Sequence, residues 1–353
     1  MDDLWWRLVD AVRDARLRFE RWMTLTRHAS YAAAACRIAT GLAVIGLLLS
    51  NFSTRSLWVG QASVWAEPAR RSSSFPELAL LRGVSDDVLF VVYVVTLLAA
   101  FAFVIGWRTK AANVVTYVGF IAIVAQNPVV GVQADNLLRL TLLWLLLMRT
   151  SDHWSLDARR RARVARGDVD QRSSDDVLPP WLSNSLHNTG LVALGAQTII
   201  AYTAAGLAKV GQAEWQHGTA LYTTLQLPES RPYPALSDLV SSNQVVLAGL
   251  TYAVLLSQLF FAPLLLSRIS RRVVLVVSIL VAFVFAVLFA APWAQLAVVA
   301  VTLLFVSDDR WLRLEDAVLE RLDPMAERVV DPIVDKLDEW RDRIKVNRKP
   351  RTD

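Results

Sequence analysis

Ala201-Tyr-Thr-Ala-Ala-Gly-Leu-Ala-Lys-Val-Gly-Gln-Ala-Glu-Trp-Gln-His-Gly218 is where this chain leaves an apolar helix and enters a polar, aromatic turn. The helix stays apolar to Ala208, Lys209 marks its exit, and Glu214, Trp215 and His217 follow. The whole chain has five lysines against 32 arginines, so a lysine at this boundary stands out. Lysine differs from arginine in that desolvation readily lowers its pKa, which can make it an amine base. The competing reading is a lysine that snorkels from the end of a membrane helix.

Working outward, the 353 residues are 54% hydrophobic with a mean hydropathy of +0.38. Apolar runs of about 18 residues or more recur, each long enough for a hydrocarbon core roughly 30 Å thick. The fold class this predicts is an all-α integral membrane protein, a polytopic helical bundle. A membrane barrel would need short alternating segments of about ten residues instead. Cys36 is the only cysteine, which excludes an intramolecular disulfide and a cysteine metal site. No metal-ligand spacing, Gly-rich phosphate loop or serine elbow occurs, and no metal is expected. The first 28 residues carry six arginines and five acids, unlike a cleavable signal peptide. The net charge of +5 lies mainly in loops beside the membrane. It speaks of topology and anionic lipid, and no nucleic-acid partner is expected.

Residues 1–28 read as an amphipathic interfacial helix, with Trp5, Leu8, Val12, Ala15, Phe19 and Trp22 at three- and four-residue spacing. It suits the membrane surface or the face of the protein equally. Residues 29–307 hold about eight predicted spans, near 31–49, 88–107, 111–130, 134–148, 186–208, 245–266 and two within 273–306. Asn127-Pro128 and Gly131 break the third, and Ala290-Ala-Pro-Trp293 separates the last two. Residues 308–353 form a charged tail with a helical stripe, in which Asp323-Pro324 and Asp331-Pro332 read as helix restarts. With the N-terminus inside, this arrangement puts 29 Lys and Arg on the inner side and five on the outer. The positive-inside rule then predicts a multi-pass protein of the cell membrane with both termini cytoplasmic. Lys209, Asp135 and the Glu214–His217 turn fall on the outer face.

Asp135 and Arg139 are four residues apart at the outer start of the fourth span, so they share one helix face, acid first. They form either an internal ion pair or a polar pocket with Lys209, Asp135 accepting a proton and Arg139 clamping an anion. Arg37 lies inside the first span, where an isolated arginine costs at least ~2.5 kcal/mol. It must therefore face the bundle interior or snorkel, and the expected role is structural, satisfying backbone carbonyls or an internal acid. Trp154-Ser-Leu-Asp157 reads as an interfacial turn and helix cap.

Asp135-Asn-Leu-Leu-Arg139, His153-Trp-Ser-Leu-Asp157 and Ala205-Gly-Leu-Ala-Lys-Val-Gly-Gln-Ala-Glu-Trp-Gln-His-Gly218 together resemble the horizontally transferred transmembrane (HTTM) domain. That family's pattern has an aromatic-Ser-hydrophobic-Asp signature, an Ala-Gly-x-x-Lys helix end, then a Trp and a Gly. Arg37 and Pro68 fit it too, and the likeness spans roughly residues 30–305. The domain is the membrane part of vitamin K-dependent gamma-carboxylases. Many bacterial and archaeal proteins share it, including some needed to mature a secreted peptide toxin.

The resemblance implies that Lys209 is the base that deprotonates a reduced, vitamin K-like quinone on the outer face. With the reading of the residues above, the expected catalytic residues are Lys209 and Asp135, and the expected substrate-binding residues are Arg139, Trp215, His217 and Arg37. The partners it implies are the lipid bilayer, a lipid-soluble quinol and a secreted peptide. The carboxylases have a histidine where this chain has Asp135, and a large propeptide-binding domain that this chain is not expected to have. Glutamate carboxylation itself is therefore not the expectation. Two readings follow: a quinol-linked or peptide-modifying membrane enzyme of prokaryotic type, or a non-catalytic scaffold or maturation and export factor.

Overall fold

A computed structural model of the chain describes residues 2–73, 76–165 and 178–329. The described residues are helical throughout and contain no strand. They form two units, residues 1–306 and 307–353. In chain order the first unit holds α1 (Asp2–Leu25), α2 (Ser30–Ser50), α3 (Arg55–Trp58), α4 (Glu67–Arg71), α5 (Asp86–Ile105) and α6 (Thr109–Val124). It continues with α7 (Gln133–Leu147), α8 (Leu156–Ala165), α9 (Pro180–Val210), α10 (Ala213–Gln216), α11 (Ala220–Gln226) and α12 (Pro234–Ser242). The last helices of the unit are α13 (Gln244–Leu259), α14 (Phe261–Leu264), α15 (Arg268–Leu288) and α16 (Pro292–Thr302).

Four helices, α2, α5, α9 and α15, are long and apolar enough to cross a membrane. Taking bent helix pairs as single spans raises this to six; one such pair is α12 and α13, which meet at 96°. The predicted third and fourth spans correspond to α6 and α7, of 16 and 15 residues. At 1.5 Å per residue these reach only about 22–24 Å. The shortness has a local cause. Pro128 cannot continue α6, and Asn127 Oδ1 accepts from Val129 N at 3.1 Å to close the turn.

The main core joins α2, α5, α6, α7 and α16. α2 is the central helix, with Ala33, Cys36, Ala43 and Val44 all fully buried. Small residues let neighbours approach closely, which substitutes for the hydrophobic drive that lipid removes. The outward faces of α5 and α15 instead expose Val91, Leu98, Phe101, Leu280 and Phe283, as lipid contact requires. A second cluster, of Leu221, Leu225, Val240, Leu247 and Leu288, packs α11 and α12 on α13 and α15.

α1 is helical as expected and exposes Trp5, Val12 and Phe19. The tail unit holds α17 (Asp308–Val329), which runs on through Pro324 without the expected restart. Asp331-Pro332 and the distal part of the tail stripe lie outside the described residues.

Candidate functional site

Polar chemistry collects at the two ends of the bundle. At one end, Ser155 and Asp157 do what short polar side chains do best and cap helices. Ser155 Oγ accepts from Ala158 N at 2.9 Å and donates to Ser151 O at 2.6 Å, opening α8. Asp157 reaches across to α6, accepting from Arg108 N at 3.0 Å and from Thr109 N and Oγ1 at 2.8 and 2.7 Å. Its own amide donates to Gly106 O at 3.0 Å. Gly106 has φ 69° and is buried against Ser155 and Arg37, so a side chain there would meet both strain and atoms. Arg37 is fully buried and donates to Thr150 O at 2.9 Å and Trp154 O at 2.6 Å. Tyr31 stacks on His153 with ring centroids 3.6 Å apart.

The start of α9 ties α1 to this end. Asn188 Nδ2 donates to the carbonyls of Trp22, Met23 and Thr26, and its Oδ1 accepts from His28 N at 3.2 Å. Asn184 Nδ2 donates to Thr24 O and Leu25 O, while its Oδ1 accepts from Arg27 Nε. His187 Nδ1 accepts from Arg149 N at 3.1 Å, and its Nε2 donates to His28 O at 2.8 Å. These side chains satisfy the carbonyls left open where α1 stops. Asp152 then gathers Arg27, Arg149 and Arg161 at 2.5, 2.8 and 3.4 Å.

At the other end, Asp135 Oδ2 accepts from Val132 N at 2.8 Å, closing the first turn of α7. Arg139 donates to Asn136 Oδ1 at 2.8 Å, so the two charged side chains turn to different partners. Both line a cavity of about 410 Å³ walled by Phe120, Ile121 and Val124. A second cavity of about 320 Å³ shares Asp135, Phe120 and Val124 and adds Trp58 and Asn127. Trp58 Nε1 and Asn127 Nδ2 are buried donors with no partner among the described residues. Asn127 is fully buried, and the bond from Val129 N to Oδ1 fixes which end of its amide is the donor.

The loop after α2 covers this region. Arg70 is 7% exposed and donates from Nε to Gln126 O at 2.6 Å and from Nη1 to Glu67 at 2.8 Å. Glu67 also pairs with Arg71 and Arg82. The hydrogen bond from Arg71, with the charges of Arg82, Arg71 and Arg70, holds the Glu67 carboxyl below its ordinary range.

Lys209 is not among the residues lining either cavity. From His187 to Lys209, α9 rises about 33 Å, which brings the lysine to the same end of the bundle. Its Nζ donates to Ala205 O at 3.1 Å and lies 5.4 Å from the Trp215 ring centroid. Among the described residues no carboxylate lies within 4 Å of it. Glu214 and His217 are exposed. Tyr252 donates to Gln216 O at 2.7 Å, and buried Gly218, at φ 73°, turns the chain against Tyr252 and Ala248.

A family model described as the HTTM domain matches residues 27–311, most of the chain. The chain belongs to the HTTM domain family. No curated protein and no solved structure matches it. The HTTM match takes in Arg37, Asp135, Arg139, Asp157 and Lys209 alike.

Within this HTTM domain, Asp135 and Arg139 line one cavity without pairing, and Lys209 does not join them there. Lys209 and Trp215 come together on a separate shelf outside the lining of that cavity, and Arg37 is at the far end holding carbonyls. Sequence reasoning saw Asn127 only as a helix breaker and Trp58 only as a loop residue. It missed Asn184, His187 and Asn188, although three strong hydrogen-bonding residues within five positions of an apolar helix were the available signal.

Proposed function

We propose that this HTTM protein binds a lipid-soluble ligand with an oxygen-bearing ring head, of the quinol class, in the twin cavity beside Asp135. The observation that carries this reading is the pair of buried, unpartnered donors, Trp58 Nε1 and Asn127 Nδ2, in a cavity that also holds a carboxylate. Leaving such groups unmade costs roughly 1–3 kcal/mol each, and a ligand's oxygens would recover it. The aromatic and aliphatic walls suit a flat ring, while Asp135 can accept a hydroxyl proton. When bound, a quinol supplies an acidic hydroxyl and a pair of electrons.

The topology that goes with this reading has about eight spans, both termini in the cytoplasm and the Asp135 end outward in the cell membrane. In it Lys209 is the outer-face base. Its present contacts are a carbonyl oxygen and the face of Trp215. To act as a base, the amine must leave that shelf, lose its proton and approach the ligand.

A second reading is favoured by the same shelf. Exposed Glu214 and His217 beside Lys209 offer polar contacts to a secreted peptide, which suits a maturation or export scaffold. A photoactivatable naphthoquinone analogue separates the two. The binding reading expects cross-links in residues 51–58 and 120–135, suppressed by excess unlabelled naphthoquinol. Cross-links spread over the lipid-facing helices would contradict it. Lys209→Arg should leave labelling unchanged while abolishing quinol turnover; labelling without turnover in the wild type would favour the scaffold.

A further inference from the structure

Asn243 makes a sharp corner in the chain. It follows the last residue of α12 and caps α13, its Oδ1 accepting from Val245 N and Val246 N, both at 3.1 Å. The two helices meet there at 96°. α12 begins at Pro234, whose fixed φ suits a first helical turn, and Arg231 Nη2 donates across the helix to Asp238 Oδ1 at 2.6 Å. On its inner side Ser237 and Val240 are buried, and Val240 with Leu236 joins the cluster of Leu221, Leu247 and Leu288. The corner and the packing together hold α12 at right angles to α13.

α13 carries an exposed stripe of Val245, Gly249, Tyr252, Leu256 and Phe260, three or four residues apart. On a helix of a membrane bundle, an exposed apolar stripe of that kind is the lipid-facing side. Tyr252, on this stripe, donates to Gln216 O at 2.7 Å and so ties the turn beside Lys209 to it. A membrane helix tilts by about 20° on average, so a helix at right angles to α13 stays near the plane of the bilayer. The exposed surface of α12 is divided along its length. Ala235 and Leu239 form one flank, and Asp238 and Ser242 form the other. Leu239 is 67% exposed on one side of the Asn243 corner, and Val245 is 82% exposed on the other.

We propose that α12 lies flat in the bilayer surface at the Lys209 end, and that the partner of its Ala235–Leu239 flank is the lipid at the headgroup–acyl boundary. In this arrangement Leu239 points into the acyl chains with Val245, while Asp238 and Ser242 face water. The lipid stripe of α13 then continues around the corner onto α12, and the turn beside Lys209 sits at the membrane surface. The proposal does not depend on the reading of the Asp135 cavities.

The test attaches a nitroxide to Leu239→Cys, Val245→Cys, Asp238→Cys and Ser242→Cys, one at a time, in the full chain in phosphatidylcholine nanodiscs. Cys36 is fully buried, so it adds little background label. Collisions with oxygen, which partitions into lipid, are compared with collisions with a water-soluble nickel chelate. The oxygen-to-nickel ratio should be about fivefold or more higher at Leu239→Cys and Val245→Cys than at Asp238→Cys and Ser242→Cys. Ser242→Cys leaves the Arg231–Asp238 pair intact, so the water-facing flank is read even where Asp238→Cys disturbs the helix. A low ratio at Leu239→Cys would place that flank in water. Suppression of both collisions there would mean that protein, including a second copy of this chain, covers it. A high ratio at all four positions would mean full immersion. Each of these three results would overturn the proposal.

Discussion

Replacing Arg37 by methionine removes the donors to Thr150 O and Trp154 O inside a fully buried environment. At roughly 1–3 kcal/mol for each of the two buried acceptors left unmade, the loss should be about 2–6 kcal/mol. Thermal unfolding in detergent would register it, with Arg37→Lys intermediate because a point ammonium cannot reach both carbonyls in the guanidinium's fork geometry. Unchanged unfolding of Arg37→Met would remove Arg37 from its structural role. Asp157→Asn puts an amide donor against one of the three donors that now converge on the carboxylate. A loss of about 1–2 kcal/mol is expected in the same assay. Both roles were partly legible in the sequence. An arginine inside an apolar run has to satisfy something, and Trp154-Ser-Leu-Asp157 has the residue types of a cap. The helix that Asp157 caps was not legible, because its partner Thr109 is 48 residues away.

At the scale of elements, the loop from α3 to α4 is held over the Asp135 end by Arg70 and the Glu67 cluster. Glu67 is held below its ordinary range when folded, so its contribution is present above the unfolded value of about 4.3. It is lost as pH falls through the lower folded value. Hydrogen exchange in residues 55–71 should therefore accelerate below about pH 4, more than in α2 or α5. Glu67→Gln should be fast already at pH 7 and insensitive to acid, and an acid response unchanged by that substitution would contradict the assignment. Element type and order were readable from apolar run length, since lipid demands helices. Element length was less so. Hydropathy carried the third span on to Val130, whereas Pro128 and the Asn127 turn end α6 at Val124.

For the whole molecule, the proposed topology, about eight spans with both termini inside, makes a labelling prediction. The native cysteine, Cys36, is fully buried, so background labelling should be low. Glu214→Cys should react with an impermeant maleimide on intact cells, and Arg159→Cys only after the membrane is opened. The reverse pattern would invert the topology. The charge asymmetry and the order of short motifs made the family and the membrane class legible from sequence. The cavity was not, because Trp58, Asn127 and Asp135 meet only through folding and no local spacing announces them. Its occupancy is the central claim, and the most direct measurement is the affinity of the purified protein for a short-chain naphthoquinol. Saturable one-to-one binding is expected, weakened about tenfold by Asn127→Leu or Trp58→Phe and unchanged by Lys209→Arg. Absence of saturable binding, or equal affinity in the Asn127 and Trp58 variants, would contradict it.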